Sequence, residues 1–174
     1  MASLTDDYLA VYRTITLYAL GIDTQRWDLF DEVFTDDVVA EYGDQTKWSG
    51  LAQFKSDFAA YHDPFAGTQH TMSNFTVDFY GDTAQSITYA HWRLLRHAVP
   101  GGEFWEGQGW YDDKLVRTPK GWRIKHRVCK TIWWGGNPNV NATIPGVSFD
   151  LPVTSMRAEA NGGKFGYLKA RKMK

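Results

Sequence analysis

Hydrophobic side chains recur at the spacing of an α-helix through the first sixty residues. The pattern predicts helices over Thr5–Leu20, residues 25–35 and Gly50–Tyr61. Positions three and four apart lie on one side of a helix, so each segment has one apolar face. Gly21 is expected to end the first helix, since glycine tolerates the backbone angles of a helix C-terminus. That would place Asp23 in the loop that follows.

The periodicity changes from helical to alternating after Asp63-Pro64, a pair that ends the third helix. Alternation over Thr68–Tyr80 predicts a strand. Its two faces would carry His70, Met72 and Asn74 on one side and Phe75, Val77 and Phe79 on the other. Three further long strands are predicted over Ala84–Ala98, Phe104–Arg117 and Trp122–Trp134. Asp36 and Asp37 are expected to form a turn before a short hairpin, residues 38–42 and 46–48, which turns at Gly43-Asp44.

Three helices followed by four long antiparallel strands predict an α+β domain over residues 1–134. A sheet of this kind curls, and the helices close one side, so we expect a cone-shaped α+β barrel with a cavity. Residues 135–174 are rich in proline and glycine. We expect an extended arm there, either part of the same domain or packed on a neighbouring subunit.

Length and charge narrow the class of protein. The 174 residues suffice for one domain with a substantial core, and the net charge of −1 indicates no nucleic-acid partner. The first ten residues are acidic and lack the apolar stretch of a secretory signal, and no run is long enough to span a membrane. The single cysteine, Cys129, fits a reducing compartment, so we expect a cytoplasmic protein.

Aromatic residues are unusually frequent, with eight Trp, nine Tyr and ten Phe. They are typical either of packing between subunits or of a pocket for a flat, multi-ring ligand. The sequence leaves both possibilities open.

Motifs for metals and common cofactors are missing from the sequence. The five histidines form no HxxxH or HxH spacing, and no second cysteine accompanies Cys129. No glycine-rich phosphate loop or nucleophile elbow occurs. We therefore expect neither a metal nor a cofactor.

Asp23 is the first candidate for chemistry. A carboxylate at the end of a core helix is costly unless it has a partner. We predict that His70 is that partner. The alternative is a purely structural ion pair or a capping contact.

Several motifs together resemble the SnoaL-like branch of the NTF2-like superfamily over residues 5–134. They are Gly21-Ile22-Asp23, Phe34-Thr35-Asp36-Asp37, His70 before Met72-Ser73-Asn74, Trp110-Tyr111-Asp112, and Gly121-Trp122-Arg123-Ile124 followed by Arg127. Enzymes of this branch include scytalone dehydratase, bile acid 7α-dehydratase and hexachlorocyclohexane dehydrochlorinase. Other members of the superfamily are not enzymes, so the fold alone does not imply an activity.

The resemblance implies roles for individual residues. Asp23 and His70 match the acid–base dyad of the elimination enzymes, while Tyr18 and Tyr42 match pocket tyrosines and Arg127 a pocket arginine. His91 lies on the strand that carries a second catalytic histidine in scytalone dehydratase, but its facing is open. Polyketide cyclases share the dyad, so the dyad does not name the reaction.

Each candidate also has a structural interpretation. Tyr18 and Tyr42 would donate to a developing oxygen, or they are core tyrosines. Arg127 would stabilise an oxyanion, or it pairs with Asp112 or Asp113. Cys129 faces the pocket or is a small buried hydrophobe. Substrate contacts are expected from Asn74, Met72, Trp110 and Trp133.

These expectations combine into a cofactor-independent lyase acting on a hydroxylated aromatic or polycyclic small molecule. The reaction would be dehydration, or carbon–carbon cleavage such as formaldehyde loss from a diarylpropane diol. The alternatives are an isomerase or polyketide cyclase with the same dyad, and a ligand-binding NTF2-like module without turnover. We expect a homo-oligomer, with a trimer favoured and a dimer as the alternative, and no nucleic-acid or membrane partner.

Overall fold

The computed structural model describes residues 3–43, 46–144 and 151–172. Helix α1 spans Leu4–Asp23 and begins with a capping box, in which Ser3 and Asp6 each accept a hydrogen bond from the other's backbone N–H. Gly21 lies inside this helix, so the expectation that it ends the helix is wrong. A Cβ atom at Gly21 would lie in ordinary van der Waals contact with the ring of Phe30, at 3.4 Å. Asp23 is consequently the last helical residue.

The second predicted helix, residues 25–35, is much shorter in the structure. A 3₁₀ turn, Trp27–Leu29, leads into a single turn of α-helix, α2, over Phe30–Val33. Strand β1 then runs over Phe34–Glu41, so Asp36 and Asp37 lie in a strand and not in a turn. Phe34 has extended backbone and pairs with Ile124 of the last strand, and this pairing overrides the helical spacing of the aromatic residues.

The remaining elements follow the predicted order. They are β2 (Lys47–Ser49), α3 (Leu51–His62), β3 (Gly67–Tyr80), β4 (Thr83–Leu95), β5 (Phe104–Thr118) and β6 (Gly121–Gly136). Together with β1 they form one six-stranded sheet in the order β2-β1-β6-β5-β4-β3. All neighbours are antiparallel except β1 and β6, which are parallel. The expected hairpin exists as the β1–β2 pair, although Asp44 of its predicted turn lies outside the described residues.

Strand β3 contains a bulge that changes which side chains face the core. Asn74 has a φ of 45°, and the pairing of β3 with β4 shifts register between Ser73 and Thr76. The extra residue turns Phe75, Val77 and Phe79 onto the core-facing side that His70 and Met72 already occupy. The predicted opposition of these two groups is therefore wrong beyond Met72.

Helices cover the concave face of the sheet. Helix α1 packs on β3 and β6, while α3 packs on β1 and β2. The core between these layers is dominated by aromatic and branched side chains, among them Ile15, Ile22, Phe30, Phe34, Phe54, Leu115 and Ile124. This confirms the predicted α+β architecture, and part of the space inside the cone remains open.

The C-terminal segment differs from the expected extended arm. A 3₁₀ turn (Pro138–Asn141) follows β6, and two short helices, α4 (Met156–Asn161) and α5 (Gly166–Arg171), come later. Phe165 stacks on Trp110 at 5.9 Å, and the backbone N–H groups of Gly166 and Tyr167 donate to the Asp112 carboxylate. These contacts are made with strand β5 of the same chain, and packing of the segment on a neighbouring subunit stays a prediction. Pro145 lies outside the described residues.

Within the described ranges, none of the helices combines the length and the apolar character that crossing a bilayer would require.

Candidate active site

A cavity of about 550 Å³ opens between α3, the β1–β2 hairpin and the concave face of the sheet. Its apolar walls are Phe58, Trp92, Leu94, Trp105, Ile144 and Leu151. Polar groups also line it, from Thr46, Lys47, Ser49, Gln53 and Asp57. The volume suits a ligand of several rings, and the mixture of apolar walls with few polar groups is typical of small-molecule sites.

Asp23 holds His70 at two points. Its Oδ2 accepts the backbone N–H of His70 at 2.8 Å, and its Oδ1 lies 2.7 Å from Nδ1 of the His70 ring. The hydroxyl of Thr68 donates to Oδ1 as well, at 2.9 Å. A carboxylate only accepts, so Nδ1 carries the proton and Nε2 remains for a ligand. His70 lines the cavity, with only 6% of its side chain exposed.

The hydrogen-bond donors of His70 and Thr68 keep the Asp23 carboxyl ionised. Burial raises the pKa of the Asp23 carboxyl, but the hydrogen bonds and charge of His70 outweigh it and hold the pKa below its ordinary value. Asp23 is therefore an anion at neutral pH. An anion on Nδ1 fixes the tautomer of the ring and stabilises the imidazolium once Nε2 takes a proton.

Three tyrosine hydroxyls meet on another wall of the cavity. The Tyr18 and Tyr42 oxygens are 2.6 Å apart, and the Tyr111 oxygen lies 3.4 Å from that of Tyr18. The indole N–H of Trp92 donates to the Tyr111 oxygen at 2.7 Å. Burial raises the pKa of all three hydroxyls well above the ordinary value, so each remains a neutral donor.

Trp92 reaches Tyr111 because β5 has glycine at position 109. A side chain at Gly109 would collide with the Lys130 carbonyl and with the Trp92 ring, which it would meet at 2.7 Å. The absence of a side chain lets the indole cross the strand and place its N–H on the hydroxyl cluster.

Arg127 lies behind the tyrosines and does not line the cavity. Its guanidinium donates twice to Asp113, at 2.8 and 2.7 Å, and both side chains are fully buried. It also stacks between the rings of Tyr18 and Tyr111, 4.1 Å from each centroid. Of the two interpretations offered for Arg127, the ion pair is the one observed, and its partner is Asp113. In this placement the guanidinium is separated from the cavity by the tyrosine rings against which it stacks.

The four expected substrate contacts lie outside the cavity lining. Met72 packs into the core, and Asn74 is exposed at the β3 bulge. Trp110 is buried on the convex face, under Phe165, because the alternation of β5 turns Tyr111 and not Trp110 inward. Trp133 is 42% exposed.

His91 is also directed away from the cavity lining. Its Nε2 lies 2.9 Å from Glu106, and its ring is 6.3 Å from that of Trp133. The open question of its facing is thereby answered, and His91 has no place beside His70. Cys129 does line the cavity, and burial raises the pKa of its thiol to about 12, which keeps it unreactive.

Sequence reasoning missed most of the cavity wall, and His62, Trp92 and Tyr111 are the missed residues that bear on the chemistry. His62 follows Phe58 by four positions on the apolar face of α3, a spacing that could have revealed it. Tyr111 sits within a motif that was noticed, but its facing depends on strand register, which a sequence does not fix.

Metal ligands do not cluster in the described part of the chain, since no group of three His, Cys, Asp or Glu side chains could hold an ion. This finding concerns residues 3–43, 46–144 and 151–172 alone.

Helices on a curled, mixed sheet, with an apolar cavity and a carboxylate–imidazole pair, define an α+β protein of the NTF2-like class. The chain belongs to the SnoaL-like domain family, whose model matches residues 3–128. Proteins of this class typically hold small hydrophobic molecules in the cone.

A sequence relative and two solved structures show the range of the family. The chain is 32% identical over 126 residues to the uncharacterized protein Rv2910c of Mycobacterium tuberculosis, covering 70% of this chain and 83% of the relative. A putative scytalone dehydratase from Novosphingobium aromaticivorans has a TM-score of 0.69 at 21% identity, with 76% of this chain and 91% of that chain covered. A hexachlorocyclohexane dehydrochlorinase, LinA type 2, has a TM-score of 0.66 at 16% identity, with 83% and 93% covered. At these identities the two structures support the fold alone. Their names are those of lyase-type enzymes, a dehydratase and a dehydrochlorinase.

Proposed function

We propose that this protein is a cofactor-independent lyase acting on a hydroxylated aromatic or polycyclic small molecule. The observation that carries the proposal is the 2.7 Å contact between Asp23 Oδ1 and His70 Nδ1 at the cavity wall. A histidine held in this way is a general base, because its Nε2 is left to accept a proton from the ligand. Such a base contributes ~10²–10⁴ in rate.

The proton moves from the substrate to His70 Nε2 while Asp23 stabilises the resulting imidazolium. In a dehydration the proton comes from carbon, the electrons of that C–H bond form the new double bond, and the neighbouring C–O bond breaks. Tyr42 or Tyr18 donates a hydrogen bond to the departing oxygen, which receives the proton held by His70 Nε2 and leaves as water, so that His70 returns to its neutral form. Tyr42 and Tyr18 both line the cavity, which supports this role.

Carbon–carbon cleavage uses the same groups. His70 would take the proton of a terminal hydroxyl in a diarylpropane diol, the C–O bond would become the carbonyl of formaldehyde, and the C–C bond would break. Its electrons would form the alkene and expel the second hydroxyl, which receives the proton held by His70 Nε2 and leaves as water. The products are a diarylethene, formaldehyde and water, so atoms and electrons balance.

The cavity supports an aromatic guest for both reactions. Trp92, Trp105 and Phe58 supply flat apolar walls, and a space of about 550 Å³ accommodates two aryl rings. Arg127 acts through the tyrosines against which it stacks, so we assign it a positioning role.

Mass spectrometry of reaction products tests the proposal. The purified protein would be incubated with a diarylpropane-1,3-diol and with a panel of hydroxylated polycyclic compounds. Loss of water alone indicates a dehydratase, and loss of formaldehyde together with water indicates carbon–carbon cleavage. A product of unchanged mass would mean an isomerase or cyclase, and binding without any conversion would mean a ligand-binding module.

His70→Ala is the decisive variant. Conversion should disappear, while circular dichroism and the affinity for an unreactive aromatic ligand stay close to the wild type. Unchanged conversion by this variant would refute the assigned base.

A further inference from the structure

His62 is a second imidazole on the cavity wall, and the proposed reaction makes no use of it. It is the last residue of α3, and its Nδ1 lies 2.7 Å from the backbone carbonyl of Phe58, one turn earlier. A carbonyl only accepts, so Nδ1 carries the proton. In the neutral ring Nε2 then bears the lone pair and is an acceptor.

The surroundings of His62 keep this ring neutral and immobile. Four aromatic rings, those of Trp27, Phe58, Tyr61 and Phe65, lie with centroids 4.9 to 5.8 Å away. The backbone carbonyl of His62 accepts a hydrogen bond from the Gln25 amide at 3.0 Å, which fixes the end of the helix. Burial is the main reason that the pKa of His62 falls to about 3.

His62 and His70 therefore differ in what they can do, although their centroids are only 6.5 Å apart. His70 has a carboxylate on Nδ1 and can hold a positive charge. His62 has a neutral carbonyl on Nδ1, so a proton taken by its Nε2 would leave a buried charge without a counterion. The two imidazoles present one basic nitrogen and one nitrogen that only accepts hydrogen bonds.

We propose, building on the function proposed above, that His62 Nε2 accepts a hydrogen bond from a second hydroxyl of the ligand, so that the cavity selects dihydroxylated compounds. One hydroxyl of the guest lies at His70 and the other at His62. An aromatic compound with a single hydroxyl leaves one of the two acceptors unpaired, and an unpaired buried acceptor weakens binding.

Equilibrium binding tests this selection without requiring turnover, so its outcome does not depend on whether His70 is a catalytic base. The probes are 2-naphthol and the isomeric dihydroxynaphthalenes, measured by tryptophan fluorescence quenching. For the wild type we expect at least one diol to bind about 5- to 10-fold more tightly than 2-naphthol. Absence of any such preference would overturn the assignment.

Variants at His62 test whether this residue causes the preference for a diol over 2-naphthol. His62→Phe keeps a flat ring in the aromatic surroundings and should reduce the ratio between diol and 2-naphthol to about one. His62→Gln, whose amide oxygen can accept, should retain part of it. His97→Phe is the matched control, because it makes the same change at an exposed imidazole that does not line the cavity and should leave the ratio unchanged. A preference that persists in His62→Phe would overturn the proposal.

Nitrogen NMR of the wild type gives a measurement that does not depend on a variant folding. With ¹⁵N-labelled protein, the Nε2 resonance of His62 should shift when the preferred dihydroxynaphthalene binds, and it should shift much less with naphthalene, which has no hydroxyl. An unmoved resonance in the saturated diol complex would contradict the hydrogen bond.

Discussion

Asp23 binds His70 through both of its carboxylate oxygens, one on the backbone N–H at 2.8 Å and one on ring Nδ1 at 2.7 Å. The backbone hydrogen bond joins the end of α1 to the start of β3. This restricts the positions that the Asp23 carboxylate can take relative to the His70 ring. One residue thus fixes both the position of the strand and the tautomer of the imidazole. This coupling explains why the dyad can be rigid although Asp23 is only partly buried.

Asp23→Asn should remove the preference of His70 for the tautomer that carries its proton on Nδ1. The amide can still accept the backbone N–H, but its NH₂ group would face Nδ1 and favour the proton on Nε2, where it blocks proton acceptance. We expect kcat to fall by ~10²–10⁴ with a small change in the affinity for 2-naphthol. Thr68→Val removes a neighbouring donor to the same carboxylate and serves as the control with a smaller effect. A kcat for Asp23→Asn equal to that of Thr68→Val would contradict the role given to Asp23.

Tyr42→Phe should weaken stabilisation of the departing oxygen. The substitution removes a hydroxyl 2.6 Å from that of Tyr18 and keeps the ring among Trp48, Phe54 and Phe58. Loss of one positioned donor typically costs ~10²–10³ in kcat. Steady-state kinetics should show the loss in kcat and not in KM. A change confined to KM would mean that the hydroxyl only binds the ground state.

The order of the elements was accessible from the sequence, because helical spacing, alternation and turn residues are encoded within a few positions. The Asp23–His70 pair joins residues 47 positions apart, and it was accessible through the resemblance to the SnoaL-like branch. The facing of Trp110 and Tyr111 was not accessible in this way, since it depends on register. The bulge at Asn74 reversed the facing of Phe75, Val77 and Phe79 for the same reason: one inserted residue exchanges the two faces of a strand.

Substitution of Asn74 tests the importance of that bulge. Its φ of 45° lies in the left-handed region, which asparagine and glycine tolerate better than other residues. Asn74→Ala should reduce the free energy of unfolding by about 1 kcal/mol, and Asn74→Gly should be close to neutral. Urea unfolding of the two variants measures the difference. Equal stabilities of the alanine and glycine variants would show that the backbone conformation is not what selects asparagine.

The buried Arg127–Asp113 pair makes a distinct prediction about stability. Asp113→Asn leaves the guanidinium without its counterion in a fully buried site, and removal of one partner of such a pair typically costs ~3–5 kcal/mol. Arg127→Met combined with Asp113→Leu removes both charges and should be less destabilised than either single variant. Denaturant unfolding of Arg127→Met, Asp113→Leu and the double variant gives the coupling. Additive losses would mean that the two side chains do not depend on each other.

The neutrality of His62 predicts how stability changes with pH. Its pKa is about 3 in the folded protein and about 6.5 in a solvated chain. Between these values the unfolded chain binds a proton that the folded protein does not, so acid favours unfolding. The contribution is complete above pH ~6.5 and is lost as the pH falls, with a slope of up to ~1.4 kcal/mol per pH unit.

His62→Gln isolates this contribution, because glutamine does not titrate. Urea unfolding at several pH values from 4 to 7 should show a shallower dependence for the variant than for the wild type, whatever its absolute stability. The comparison variant is His97→Gln, the same substitution at a histidine with 66% of its side chain exposed. Parallel curves for the wild type and His62→Gln would show that His62 is protonated equally in the folded and unfolded chains, and an imidazole of that kind could not be the neutral acceptor on the cavity wall.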